Sequence, residues 1–474
     1  MITIDEIKIK TIKDYEKVKT KIKEGYIDDK IILFLKNNIG TSIEKVVIEY
    51  PYYDRDYLST FYIHYSKKFR HYPKECYRLH FISGNARNLA YWGYMVLCPI
   101  SLEGNRIGST YLSPQVVIKD VAYTASCNIK VHLIGNEYTV KTFPWMKQDT
   151  DISTCAHVAL WTVLRFYGQK FTHYKDPSMG EIIEKVQEEW GRKTPSQGLT
   201  PIQISHVLSE FGFQPIIRSV FSNSPIPLID EMFAYLESGI PIIAMIASKA
   251  HAFSVFGHGT IHTERLSDDM FRNRIKEPGT NFILHSKLIN SVYMMDDNLH
   301  PFKQLEKLSF NPGKGECIID QITHIIIPLY VRMQLEYPNV YSRFVHLMKL
   351  SEFSWTKKET VVRIYITSEN ALKEHALTSV KMNERLSDII RTLNMSRFVW
   401  CIDISTIEEY ERGLISGRIL IDSTAGSADV EPWILLHDDS TIKYLDDGEM
   451  NQEMEEITPY EHFVHNLNKY EPNH

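Results

Sequence analysis

A chain of 474 residues exceeds what one ordinary hydrophobic core needs, so two or three domains are expected. With 43% apolar and 24% charged residues the composition is that of a globular protein rather than a disordered one. A formal charge of -6 gives no general reason to expect nucleic acid, whose phosphates call for an excess of Lys and Arg.

The amino terminus, Met1-Ile2-Thr3-Ile4-Asp5-Glu6, carries charge where a secretory signal needs an apolar core, and no apolar run is long enough to span a bilayer. The six cysteines lie far apart without a CxxC pair, which argues against a zinc ribbon or a disulfide framework and for reduced thiols in a cytoplasm. No cofactor or metal site is expected. The acidic pairs Asp438-Asp439 and Asp446-Asp447 read as turn acids, since no histidine or further acid stands at a ligand spacing.

Residues 1–143 read as an α+β module. Ile4 to Lys23 suggests an amphipathic helix, Lys45 to Tyr50 a strand, and Asp56 to Phe69 a helix packed by Tyr57, Phe61 and Tyr65. Tyr77–Ile82, Gly93–Ile100 and Gln115–Ala122 read as strands separated by turn residues.

Residues 144–329 begin with helices and continue with strands. Cys155 to Tyr167 is expected to be helical and closed by Gly168 as a left-handed cap. A second helix is read over Glu181–Glu189. Thr200 and Pro201 read as the N-cap and first position of a third, which stops at Gly212. A strand over Gln214–Val220, a helix over Ile229–Glu237 and a buried strand over Ile240–Ile246 follow. His251 then opens another strand. The polar, Gly- and Pro-broken stretch 258–291 reads as an insertion between two strands, a place for a lid or binding loop. Strands over Ser291–Met295 and Gln321–Leu329 resume the sheet.

Residues 330–474 read as an α/β or α+β module. It has a first helix, a strand at Thr360–Thr367 and a long helix over Asn370–Leu393. Strands follow at Arg397–Ile404, Leu414–Ser423 and Pro432–His437, and Asp446 to Glu456 reads as an acidic, solvated tail.

The chemistry centres on Cys155. A free thiol with a pKa of about 8.5 is mostly protonated at neutral pH, and a helix N-terminus and a neighbouring imidazolium both favour the thiolate. Cys155 stands where the polar loop from Asp149 to Thr154 meets an apolar-faced helix, and His251 is the candidate base. A carboxylate or carboxamide must then orient the imidazole: Asp296 first, Asp297 second, with Asn298 also open. Gln148, a few residues upstream, is the candidate side-chain donor to an oxyanion, with the backbone N–H of the nucleophile as its partner. His258, between Gly257 and Gly259, competes for the base role but reads as a turn residue. His157 reads as structural.

Gln148 before Cys155, Cys155-Ala156 opening a helix that runs to Phe166-Tyr167-Gly168, Gly198-Leu199-Thr200, Ile240-Pro241, His251 opening a strand and a strand-terminal Asp together resemble papain-fold cysteine peptidases. The bacterial branch that includes bacteriocin leader peptidases and their stand-alone relatives is the nearest in pattern. The resemblance covers about 144–329 and implies a helix bearing the nucleophile packed on an antiparallel sheet. It implies a hydrolase acting on a peptide or protein substrate, with Cys155 as nucleophile, His251 as base, Asp296 as orienter and Gln148 in the oxyanion hole. Ala156 stands where that branch usually has Gly, the Gln148-to-Cys155 spacing is one longer than the commonest, and the insertion lengthens the His251-to-Asp296 separation. Neither flank resembles the transporter to which leader peptidases are often fused. Two rival classes remain: a non-catalytic binding or scaffold module on the same fold, and an acyltransferase using the same three residue types. Substrate, pathway and oligomeric state are not legible.

Overall fold

The computed structural model describes residues 2–85, 88–99, 107–149, 151–186, 198–222, 226–307, 319–349, 353–426, 429, 432–463 and 466–472. The architecture is mixed α+β, built on three antiparallel-dominated sheets. The first has five strands in the order Thr3–Lys8, Lys45–Tyr52, Cys76–Asn85, Asn88–Leu97 and Ile107–Leu112. The central sheet reads, across its main path, Lys303–Glu306, Ser291–Met295, His251–His258, Ile242–Ile246, His324–Leu329 and Gln214–Ser219. Ala122–Thr124 pairs with the far end of His251–His258, and Asn468–Tyr470 pairs with Ala122–Thr124. The third sheet, of seven strands, runs from Phe282–Leu284 through Thr360–Ser368, Phe398–Thr406, Gly417–Asp422, Trp433–His437 and Thr441–Asp446 to Glu449–Met454.

The central sheet is covered on both faces, and alternation along its strands assigns each residue to a side. Ile243, Ala252, Phe256 and Ile326 join the core shared with the first sheet and the helix Cys155–Lys170. Ile242, Ala244, Phe253, Val255, Ile325 and Ile327 join the core shared with the helix Leu228–Glu237 and the third sheet. Phe143 shows the close fit on the first side: its ring lies 5.1 Å from that of Phe166 on the helix and stacks at 4.3 Å on Phe256 of the sheet. The helix is apolar nearly all round, and every residue from Ala156 to Tyr167 is buried.

Buried ion pairs fix the layers to one another. Arg165 on this helix reaches Asp56 at 2.9 Å, and Asp56 also accepts from Trp161 Nε1 and the Met179 amide. On the other face, Arg363 of the third sheet bonds Glu237.

Several expectations are corrected. Thr3–Lys8 is an edge strand in register with Lys45–Tyr50, so the expected amphipathic helix shrinks to Tyr15–Lys21; six residues carry too little periodicity to outweigh a ladder. Within 115–122 the chain first makes a short helix, Pro114–Val117, capped by Ser113 and started by Pro114. Gly168 does not cap the helix that Cys155 opens, which continues to Lys170; a Cβ there would lie 2.7 Å from Asp176 Cα and 2.9 Å from its amide nitrogen. The expected helix Glu181–Glu189 is Met179–Lys185, and 187–189 lie outside the described residues. The long helix over 370–393 is two helices, Glu369–Thr378 and Glu384–Thr392, the second capped by Asn383. The acidic stretch is no tail: Asp447 (φ 46°) and Gly448 (φ 85°) form the tight turn of a hairpin whose second strand is Glu449–Met454.

The insertion 258–291 starts within a strand, contains the helix Asp269–Ile275, and sends Phe282–Leu284 into the third sheet, parallel to Thr360–Ser368. Leu266, Ile283, Leu288 and Val361 form a small core beneath it. Among the described residues, no helix is long and apolar enough to cross a membrane.

Gly168→Ala gives a test with an informative sign. Helix propensity alone favours Ala by about 1 kcal/mol. The contact with the Asp176 backbone predicts instead a loss of about 1–3 kcal/mol in urea unfolding.

Candidate active site

Cys155 occupies the first turn of its helix because the residues around it satisfy the cap. Thr154 is extended (φ -112°, ψ 178°), its amide donates to His157 Nδ1 at 3.3 Å, and its hydroxyl lies 3.1 Å from the same nitrogen. His157 thus takes the place that Glu or Gln has in a capping box. Burial drives its pKa down to about 4, so the ring is neutral and Nδ1 keeps its lone pair for Thr154. The preceding loop is folded onto Asp149, whose carbonyl accepts from the Ile152 and Ser153 amides at 3.1 and 2.9 Å. Tyr65 donates to Asp149 Oδ2 at 2.5 Å, while Lys68 and His64 close on Asp151. Three of the side chains that hold the approach to the cysteine, Tyr65, Lys68 and His64, therefore come from the first 143 residues.

His251 opens its strand directly after Ala250, which is in the left-handed region (φ 48°, ψ 43°). That conformation costs a non-glycine residue about 1–2 kcal/mol. It turns the chain out of Ala247–Lys249 and sets the imidazole at the strand's first position. His251 Nε2 lies 2.7 Å from Asp296 Oδ2. Asp296 follows the neighbouring antiparallel strand Ser291–Met295 and is fully engaged: Oδ1 accepts from the Asn298 amide at 2.8 Å, and its carbonyl accepts from Trp145 Nε1 at 2.8 Å. Phe34 stacks on Trp145, with ring centroids 5.9 Å apart.

Cys155 is the second side chain that acts on the His251 ring. Burial opposes charge on this imidazole, but the hydrogen bond to Asp296, the interaction with Cys155 and the charge of Asp296 raise its pKa to about 10. His251 therefore carries its proton at neutral pH. Its contribution to stability is complete below the ordinary histidine value of about 6.5 and is lost as pH rises through 10.

The other expected residues are placed as follows. Gln148 Nε2 donates to Asn298 Oδ1 at 3.3 Å, so the upstream carboxamide is tied to the loop after Asp296 and keeps one N–H for another acceptor. Asn298 supports Asp296 through its amide and Gln148 through its side chain. Asp297 is buried, neither carboxyl oxygen has a hydrogen-bond partner, and burial followed by the charge of Asp296 raises its pKa to about 7. His258 sits at the opposite end of the His251 strand and pairs with Glu237. Tyr65 reads from the sequence only as a core residue of its helix, and Trp145 and Phe34 are not singled out there. Only Trp145 offered a signal there, an indole N–H that must find an acceptor once buried.

Two groups of described residues have the composition of metal ligands. His251, Asp296 and Asp297 bring one ligand atom each within 4.8 Å of the others, as do Glu237, His258 and His285. In the first group His251 and Asp296 are already bonded to each other. No family model, curated protein or solved structure matches this chain.

The orphaned carboxyl makes a prediction about pH. Because its folded pKa is raised, Asp297 contributes stability that is present below about pH 4 and lost as pH rises through 7. Asp297→Asn should match the wild type in urea unfolding at pH 4 and gain on it steadily toward pH 8.

Proposed function

We propose that the chain is a papain-like cysteine hydrolase that cleaves a peptide or other amide bond through a thioester. The observation that carries this reading is the His251 imidazole, bonded to Asp296 Oδ2 at 2.7 Å and acted on by Cys155 at the start of a helix. The order of elements supports the papain-like assignment. A helix bearing the cysteine packs on an antiparallel sheet, with the histidine opening one strand and the acid ending its neighbour. The interaction of Cys155 with the His251 ring favours a catalytic role over a scaffold.

In this mechanism the Cys155 sulfur attacks the substrate carbonyl carbon, and negative charge develops on the carbonyl oxygen. Backbone N–H groups at the start of a helix lack intrahelical acceptors and are natural donors to such an oxygen. The remaining N–H of Gln148 is the side-chain donor. Imidazolium His251 then gives its proton to the leaving amine as the C–N bond breaks, leaving a thioester and a neutral ring. Neutral His251 takes a proton from water, the hydroxide oxygen attacks the thioester, and the acid is released as the C–S bond breaks and the proton returns to the Cys–His pair. Asp296 keeps the ring in one orientation throughout.

Cys155→Ala should abolish both labelling by an electrophilic thiol probe and turnover of a peptide library; equal labelling of the variant would remove Cys155 from the mechanism. Asp296→Asn should lower kcat by about 10²–10⁴, with Asp297→Asn near wild type. Turnover should fall as pH passes 10, where His251 loses the proton it must give to the leaving group. Product analysis with an added primary amine distinguishes hydrolysis, which yields the free acid, from acyl transfer, which yields a new amide.

A further inference from the structure

The second ligand-type group lies away from the cysteine, at the junction of the central and third sheets. Glu237 ends the helix Leu228–Glu237, His258 ends the strand that His251 begins, and His285 lies in the insertion. All three side chains are at least nine-tenths buried. Both rings direct Nε2 at the same carboxylate oxygen: His258 at 2.5 Å and His285 at 3.2 Å from Glu237 Oε1.

The outer atoms are also fixed. His258 Nδ1 lies 2.9 Å from the Gly259 carbonyl oxygen, which can only accept, so the proton of a neutral ring sits on Nδ1. His285 Nδ1 meets the Tyr410 hydroxyl, and Glu237 Oε2 is held by Arg363 Nε at 2.6 Å. His258 Nε2 is left without an aligned hydrogen bond along this short N···O line. One cation set off that line satisfies His258, His285 and Glu237 together.

We propose that Glu237, His258 and His285 bind a divalent transition-metal ion, zinc by the chemistry of the donors. Two imidazole nitrogens and one carboxylate oxygen form a known zinc ligand set, and each ligand's outer atom has the supporting hydrogen bond that such ligands require. Ligand atoms around tetrahedral zinc stand about 3.3 Å apart, close to the His285–Glu237 spacing; the His258 contact opens slightly on binding. Arg363 offsets the charge of Glu237. A divalent ion with two neutral rings leaves the same net charge as protonating both rings, so the metal adds no electrostatic burden over that alternative. A cavity of about 20 Å³ touches Glu237, His285 and Arg363, room for one small ligand to complete the coordination. The ion would brace the far end of the strand that presents His251, tying it to the helix, the insertion and the third sheet.

This inference does not depend on the hydrolase reading. Full-length protein expressed with zinc and purified without chelator should hold about one equivalent by plasma mass spectrometry. Chelator should remove it with a drop in melting temperature, and Co²⁺ added to the stripped protein should give visible bands of a four-coordinate ion. Cys155→Ala should keep the metal, and His258→Gln and His285→Gln should each lose it. A folded wild-type protein that holds no zinc and gives no cobalt bands overturns the proposal without recourse to variants. Metal that survives the two glutamine substitutions together, or that disappears with Cys155, also overturns it.

Discussion

The imidazole of His251 has to meet a thiol with one nitrogen and a carboxylate with the other, and much of the molecule can be traced to that demand. Asp296 can present Oδ2 because its Oδ1 and its carbonyl are taken by the Asn298 amide and Trp145. Trp145 in turn is stacked on Phe34, far back in the sequence. Cys155 meets the ring because Thr154 and His157 start the helix at that residue, after a loop held by Tyr65, Lys68 and His64. Each partner of the imidazole thus leans in part on the first 143 residues, through Phe34 behind Trp145 and through Tyr65, Lys68 and His64 behind the loop before Cys155.

A sheet with two apolar faces makes that dependence unavoidable. Residues such as Ile242 and Ile243 are neighbours in sequence but belong to different cores. One core is completed by the first sheet, the other by the third. Leaving either face uncovered would expose a contiguous apolar surface larger than single chains ordinarily tolerate.

Features with a local cause were legible in the sequence. The helix starting at Cys155, the strand starting at His251 and the strand closing before Asp296 all follow from patterns a few residues long, and the structure keeps them in that order. The Thr200–Pro201 start was read the same way and carries a full capping box with Gln203. Features with a distant cause were not legible. Gly168 looked like a cap because helices often end on glycine, but its reason for lacking a Cβ is the Asp176 backbone across the fold. The choice of Asp296 over Asp297 depends on strand register, which alternation within one strand cannot decide. The Asp447-Gly448 hairpin was a local signal and was overlooked beneath a run of acids that suggested solvent exposure. Glu237, His258 and His285 belong to a helix, a strand and an insertion, and no motif spacing links them.

The tether from Tyr65 to Asp149 has an evolutionary consequence. In many multidomain proteins a catalytic unit travels between genes as a self-sufficient cassette. Here the loop entering the nucleophile helix is fastened to the preceding module, and the final strand, Asn468–Tyr470, returns beside Ala122–Thr124 to extend the sheet that carries His251. Recombination that cut at either edge of the middle segment would separate the cysteine and histidine from the groups that hold them. The unit of inheritance should therefore be the whole chain, with insertions tolerated at its surface but its ends kept together.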